Sequence, residues 1–323
     1  MASNGIAGRV AVVAMGCSHF GERFDTSTED LILEAYQECL SGASVSPADV
    51  DAYWLGTLSS GMSGLTLSRA LGSDDKPVTR VENMCASGSE AFRNACYAVA
   101  SGAYDIAMAV GVEKLKDSGY SGLLRQDPPA DGTAAELSMT APAAFSLLDP
   151  AYCARYGVHP PDEMRAAMTH VAWKNHDNGS RNPPKAQFRK SVAKETIDAA
   201  PTIAGRLGVF DCSGVSDGAA CALIVSADRA HEFTDTPMYV NALSLVAGST
   251  RGDDRPPRLR FHQLPGSGQV GQRRLRAGRH RQPRHPTLAG RGSRLLHPPD
   301  RDRVDGRPRV RRTRPGVERR AER

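Results

Sequence analysis

Of the seven cysteines and nine histidines in this chain of 323 residues, one cysteine stands in a setting that could make it reactive. Cys85 lies in Val81-Glu82-Asn83-Met84-Cys85-Ala86-Ser87-Gly88-Ser89-Glu90, where a short apolar approach ends and small residues lead into a helical pattern. Phe92, Ala95, Cys96, Val99 and Ala100 recur at helical spacing, which makes one buried face of an amphipathic helix. Gly102 then sits where a glycine ends a helix. The pattern predicts Cys85 at the N-terminus of a packed helix, where unpaired N–H groups and the helix dipole favour an anion. A thiol there can have its pKa lowered from about 8.5 into the range of roughly 3.5–7.5, which turns it into a nucleophile.

The other candidates carry less chemistry. Cys96 falls on the apolar face of the same helix and reads as core, and Cys212 and Cys221 flank a buried strand and read as packing. Cysteines 17, 39, 96, 153, 212 and 221 show neither a regular pairing nor zinc-type spacing, so no metal site is expected. Asn83, two residues before Cys85, is a candidate for substrate contact. His176, beside Asn175 and near Asn182, is another, with a hydrogen-bonded structural histidine as its alternative. His19 has no partner in sequence. The segment S-S-G-M-S-G at 59–64 lacks Walker or dinucleotide spacing. It reads as a loop near a dimer interface rather than a phosphate cradle.

Several elements must position that cysteine. Val10–Met15 is a continuous apolar run ended by Gly16, as in a strand buried on both faces. Thr26–Asp30 offers a capped helix start, and the helix presents Ile32, Ala35, Tyr36, Cys39 and Leu40 on one side. Asp51–Gly56 and Val78–Asn83 read as strands, the second delivering the chain to Cys85, and Ile106–Val112 reads as another. Strand and helix thus alternate as in an α/β layer with a mainly parallel sheet. From about Gly119 to Pro201, proline pairs and short amphipathic pieces suggest an inserted, mostly helical excursion. Its best piece is Asp162–Lys174, with Met164, Ala167, Met168, Val171 and Ala172 on the predicted buried face. Gly218–Ser226 returns to a buried strand, and Met238–Ala247 reads as one more.

Charge divides the chain in two. Residues 1–250 carry 19 Lys/Arg against 29 Asp/Glu, a net of −10, whereas residues 251–323 carry 22 Arg and 7 acids, a net of +15. That last stretch holds 9 Pro, 9 Gly and only 11 large apolar or Cys residues in 73, too few to offset the entropy of ordering it. Its arginines invite nucleic-acid binding, but it lacks a recognisable fold for that and aromatic residues for stacking, so no specific nucleic-acid partner is expected. An odd cysteine count with no leading signal peptide argues for a reducing cytoplasm. No apolar run approaches the roughly 18–20 residues of a membrane span.

With those residues in place, the chain resembles the thiolase superfamily, in the branch of acetyl-CoA acetyltransferases and sterol-carrier or lipid-transfer thiolases. Four segments carry the resemblance: E-N-M-C-A-S-G-S-E-A at 82–91, A-M-A-V-G-V-E-K at 107–114, W-K-N-H-D-N-G-S-R-N-P-P-K-A-Q-F-R-K at 173–190 and F-D-C-S-G-V-S-D-G-A-A-C-A-L-I-V at 210–225. The third is the most specific, since ketoacyl synthases share the Cys-helix arrangement but not that segment. The resemblance implies a layered α/β fold: an N-terminal core over 1–118, a helical loop domain over 119–201, and closing core strands over 202–250. It also implies that Cys85 takes an acyl group from acyl-CoA, followed by Claisen condensation or, in reverse, thiolytic cleavage of a 3-ketoacyl-CoA. Coenzyme A thioesters are then substrates, no further cofactor is needed, a homodimer is expected, and some relatives work with a small zinc-ribbon/OB-type partner.

The histidine that activates the nucleophile and the second, acid/base cysteine come in this family from a C-terminal core domain, in motifs like H-D-C-F and G-H-P-x-G. Neither motif is present in this chain. Residues 251–323 instead read as that domain translated out of frame, and so missing or disordered. Codons compatible with Ser293–Val310, regrouped by one position, allow an H-D-C-F segment, and a slipped base is expected between roughly Val246 and Arg260. An uninterrupted frame in the sequenced gene would dismiss this. His280, His285 and His297 then have no designed role. The rival expectations are an inactive acyl-CoA-binding remnant and a retro-aldolase acting on steroid side-chain CoA esters. Cys85 favours thiolase chemistry over the latter.

Overall fold

The computed structural model of this protein describes residues 5–118, 140–158, 161–182 and 184–245. The apolar run at the start becomes β1 (Val10–Cys17), followed by α1 (Thr28–Ser41). Ser27 caps α1 reciprocally: its hydroxyl accepts from the Asp30 N–H at 3.1 Å, and the Asp30 carboxylate accepts from the Ser27 N–H at 3.0 Å. Then come β2 (Ala52–Gly56), α2 (Leu65–Leu71), β3 (Val78–Val81), α3 (Ser87–Ala100) and β4 (Ile106–Glu113). Helices α4 (Ala141–Ser146), α5 (Leu148–Tyr156), α6 (Pro161–Ser180) and α7 (Lys194–Asp198) follow, with a ribbon of β5 (Thr202–Ala204) and β6 (Leu207–Gly208). β7 (Gly218–Ser226) and β8 (Met238–Tyr239) complete the described part.

Six strands make one sheet in the order β3-β2-β4-β7-β1-β8. β2 runs parallel to β3 and β4, but β7 is antiparallel to β4 and β1, and β8 is antiparallel to β1. The expectation of a mainly parallel sheet is therefore corrected to a mixed one. The reason is where the helical segment hands the chain back. Glu113, the last residue of β4, pairs with Gly218, the first of β7. A strand that starts beside the end of its neighbour must run the other way.

The unbroken apolar stretch of β7 takes an interior place between β4 and β1, consistent with burial on both faces. Side chains then divide by alternation. Ile106, Met108 and Val110 of β4 join Leu31, Ile32, Ala35 and Cys39 of α1, whereas Ala107 and Ala109 join Ala91, Ala95, Cys96 and Val99 of α3. On β4 the apolar side chains toward α3 are thus only those of alanines.

Three sequence expectations shift. β3 stops at Val81, because Asn83 and Met84 turn the chain rather than extend the strand. The last strand is only Met238–Tyr239, an edge element paired with Ala11 and Val12 of β1. The buried face of α6 is rotated: Ala172 is buried as expected and Met164 and Met168 are half-buried, but Ala167 and Val171 are exposed and Thr169 is buried. Polar anchors set that rotation. Arg165 pairs with Asp211 at 2.6 Å and Asp198 at 3.2 Å, and the Thr169 hydroxyl donates to Asp198. The start of the predicted insertion and the Arg-rich tail, with His280, His285 and His297, lie outside the described residues.

Candidate active site

The turn that carries Cys85 is built by its own backbone and one serine. Val81 ends β3, and the Ala86 N–H donates to the Asn83 carbonyl at 2.9 Å while the Ser87 N–H donates to the Met84 carbonyl at 3.1 Å. Ser87, buried at the first position of α3, reinforces both ends of the turn. Its hydroxyl accepts from the Asn83 N–H at 2.9 Å and donates to the Met84 carbonyl at 2.7 Å. Met84 adopts φ +49°, a left-handed conformation costly for a residue with a long side chain. Such conformations persist only where the surroundings over-determine them, as the Ser87 hydroxyl does here. The result leaves Cys85 exposed, directly before the Ala86 cap of α3.

Glycines let this turn rest on the sheet. A Cβ added at Gly56, the last residue of β2, would lie 2.4 Å from the Ser87 carbonyl oxygen, and one at Gly111 of β4 would meet the Gly88 Cα at 3.6 Å. The first turn of α3 therefore sits on backbone at the end of β2. The helix start is legible in the sequence's periodicity, whereas its seat on these glycines and Ser87 leaves no period. The signal was present in a glycine closing the apolar run A-Y-W-L-G and in a serine two residues after the cysteine.

At the helix start, where unpaired N–H groups were expected, those of Ala86 and Ser87 are instead spent within the turn. An open cavity of about 430 Å³ runs beside this turn, lined by Ala86, Gly88, Ser89 and Phe92 and by Leu243 and Leu245. Asn83 is half-buried, with its backbone held in the Cys85 turn. His176 is elsewhere. Its ring stands edge-on to Phe188 and Phe210 at centroid distances of 5.3 and 5.4 Å, with a ring nitrogen 3.3 Å from the Phe210 carbonyl. Among the described residues, no contact joins it to Cys85.

The remaining thiols differ from Cys85 in environment. Burial pushes the Cys96 thiol up to about 12, and burial raises those of Cys17 and Cys212 as well. Cys221 is buried and donates to the Ala35 carbonyl at 3.1 Å. Among the described residues, no group of three or more His, Cys, Asp or Glu side chains is placed to hold a metal ion. No described helix is long and apolar enough to cross a membrane.

Residues 10–228 match the family profile of the thiolase N-terminal domain. The chain belongs to the thiolase family. Among its relatives, the acetyl-CoA acetyltransferase of Methanothermobacter thermautotrophicus is 37% identical over 260 residues, covering 76% of this chain and 64% of that protein. Sterol carrier protein 2 of Gallus gallus is 28% identical over 253 residues, 74% of this chain and 45% of that protein. The fold of this thiolase-family chain is similar to that of the Ltp2-ChsH2(DUF35) aldolase, with a TM-score of 0.66 at 22% identity over 84% of this chain and 70% of that one. The chain spans less than two thirds of the length of either curated relative.

Proposed function

We propose that this chain carries the acyl-accepting half of a thiolase-type acyltransferase. The Cys85 sulfur attacks the carbonyl carbon of an acyl-CoA thioester, the bond from that carbon to the CoA sulfur breaks, and the thiol proton ends on the departing CoA. The acyl group is then held as an enzyme thioester, which splits one hard transfer into two easier ones. A second acyl-CoA takes it up by Claisen condensation, or free CoA does so in the reverse, thiolytic direction. What supports this most is Cys85 itself: an exposed thiol on a turn held by Ser87 and seated on Gly56, in a chain of this family. The acceptor is a second CoA thioester, and the assembly is a homodimer in the cytoplasm.

Incubation with acetyl-CoA followed by intact-mass measurement tests the reading. One added acetyl group is expected on the wild-type chain and none on Cys85→Ser. An unmodified wild type sinks it and leaves the rival reading, a remnant that at most binds acyl-CoA. That rival draws on the Arg/Pro/Gly-rich sequence of residues 251–323, which carries neither an H-D-C-F nor a G-H-P-x-G segment.

A further inference from the structure

Glu113 ends β4, and its carboxylate gathers four donors from the loop that leaves β2. One oxygen accepts from the Leu58 N–H and from the Thr57 hydroxyl at 3.2 Å. The other accepts from the Ser59 N–H at 3.3 Å and the Ser60 hydroxyl at 2.8 Å. The loop is tied further by the Ser60 N–H donating to the Thr57 hydroxyl at 2.9 Å and the Lys114 N–H donating to the Ser60 hydroxyl at 2.6 Å. From the other side, the Arg80 guanidinium donates to the carbonyls of Thr57 and Leu58 at 2.9 and 3.1 Å.

This knot begins one residue after Gly56, whose backbone carries the Ser87 carbonyl. Thr57 itself reaches β3, its N–H donating to the Val81 carbonyl at 3.4 Å just before the cysteine turn. Gly56 and Thr57 are therefore the floor of the nucleophile. Glu113 fixes where that floor ends, and the loop has no packed apolar side chain of its own to do so: Leu58 is half-buried and Met62 is almost wholly exposed. A carboxylate suits the task because it is acceptor-only and can take several N–H and O–H donors at once.

We propose that Glu113 is a positioning residue for Cys85, acting through the 57–60 loop and Gly56 on the Ser87 turn. This rests on the reading of Cys85 as the acylated nucleophile. It carries a consequence that a general loss of stability does not: the defect falls on the acylation step and not on acyl-CoA binding. In Glu113→Gln, one carboxylate oxygen becomes an NH2 facing donors, so the loop must shift, and displacements of about 1 Å are enough to slow a reaction by up to about 100-fold.

The experiment measures the rate of Cys85 acetylation against acetyl-CoA concentration, normalised to folded protein. In Glu113→Gln the maximal rate is expected to fall about 10-fold or more with the half-saturating concentration unchanged. Ser60→Ala, which removes one donor and keeps the carboxylate, should show a smaller fall of the same kind. An unchanged maximal rate, or a change confined to half-saturation, overturns the proposal. Should Glu113→Gln not fold, Ser60→Ala decides alone by the same criterion. If wild-type Cys85 is not acetylated at all, the acyltransferase reading falls separately. Alkylation of Cys85 by iodoacetamide then reads the positioning: slower in Ser60→Ala supports it, and equal rates overturn it.

Discussion

The seat of Cys85 and the helical segment between β4 and β7 are built on opposite principles. Beneath α3 the contacts are carbon and backbone: Ala91, Ala95, Cys96 and Val99 pack on Ala107, Ala109 and Ile224, and Gly56 brings a strand within touching distance of Ser87. In the helical segment the described apolar cluster is small, with Ala172, Val192 and Ile197 buried and Trp173 and Phe210 beside them. Its orientation is set by ions: Arg165 to Asp211 and Asp198, and Arg206 to Asp149. The proposed nucleophile sits on the first kind of packing, which has few alternative arrangements. The second kind depends on charge state as well as on shape.

That contrast can be broken by exchanging the forces. Ile224→Ala removes a fully buried side chain of an interior strand on the α3 side. It should lower stability by about 2–5 kcal/mol in urea unfolding, with little dependence on salt. A loss below 1 kcal/mol would mean that carbon packing does not dominate there. Arg165→Met keeps the apolar stem but leaves Asp211, almost fully buried, without its cation. A loss of about 1–3 kcal/mol is expected. It should appear as faster amide exchange confined to α6 and α7, so uniform exchange across the sheet would contradict the division.

The smallest effect concerns Asp217, at the point where the two regions meet. Burial raises its pKa, but the N–H groups of Lys116, Leu115 and Arg23 and the Lys114 ammonium outweigh that and hold the carboxyl below its usual range. A depressed folded-state pKa adds stability that is complete above the unfolded value of about 3.9 and is lost as pH falls through the folded value. The difference in melting temperature between wild type and Asp217→Asn should therefore be largest near neutrality and shrink below about pH 4. A difference constant with pH would show that the charge of Asp217 is not what matters.

Legibility in the sequence followed the same divide. The faces of α1 and α3 could be read because their apolar residues recur at helical spacing and water decides which side is buried. Ser27 and Asp30 marked the start of α1, and Cys85 was placed at the head of its helix. On α6 the predicted buried side held at Ala172 and in part at Met164 and Met168 but not at Ala167 and Val171, because Arg165 and Thr169 turn inward to carboxylates that arrive from α7 and from the stretch after β6. No period in α6 announces partners that lie 29 and 46 residues away.

By itself, then, the sequence determined where β1, α1, α3, β4 and β7 begin and how charge divides the chain, and it singled out Cys85 as the candidate nucleophile. These are properties of neighbours along the chain, set by local spacing, capping and composition. Only the tertiary structure decided that β7 returns antiparallel between β4 and β1, that Gly56 is the floor of Ser87, that Glu113 closes the loop beyond it, and that His176 packs among phenylalanines rather than beside Cys85. Each of these depends on atoms brought together from distant segments, and a hydrogen bond or a close backbone approach leaves no period in the sequence.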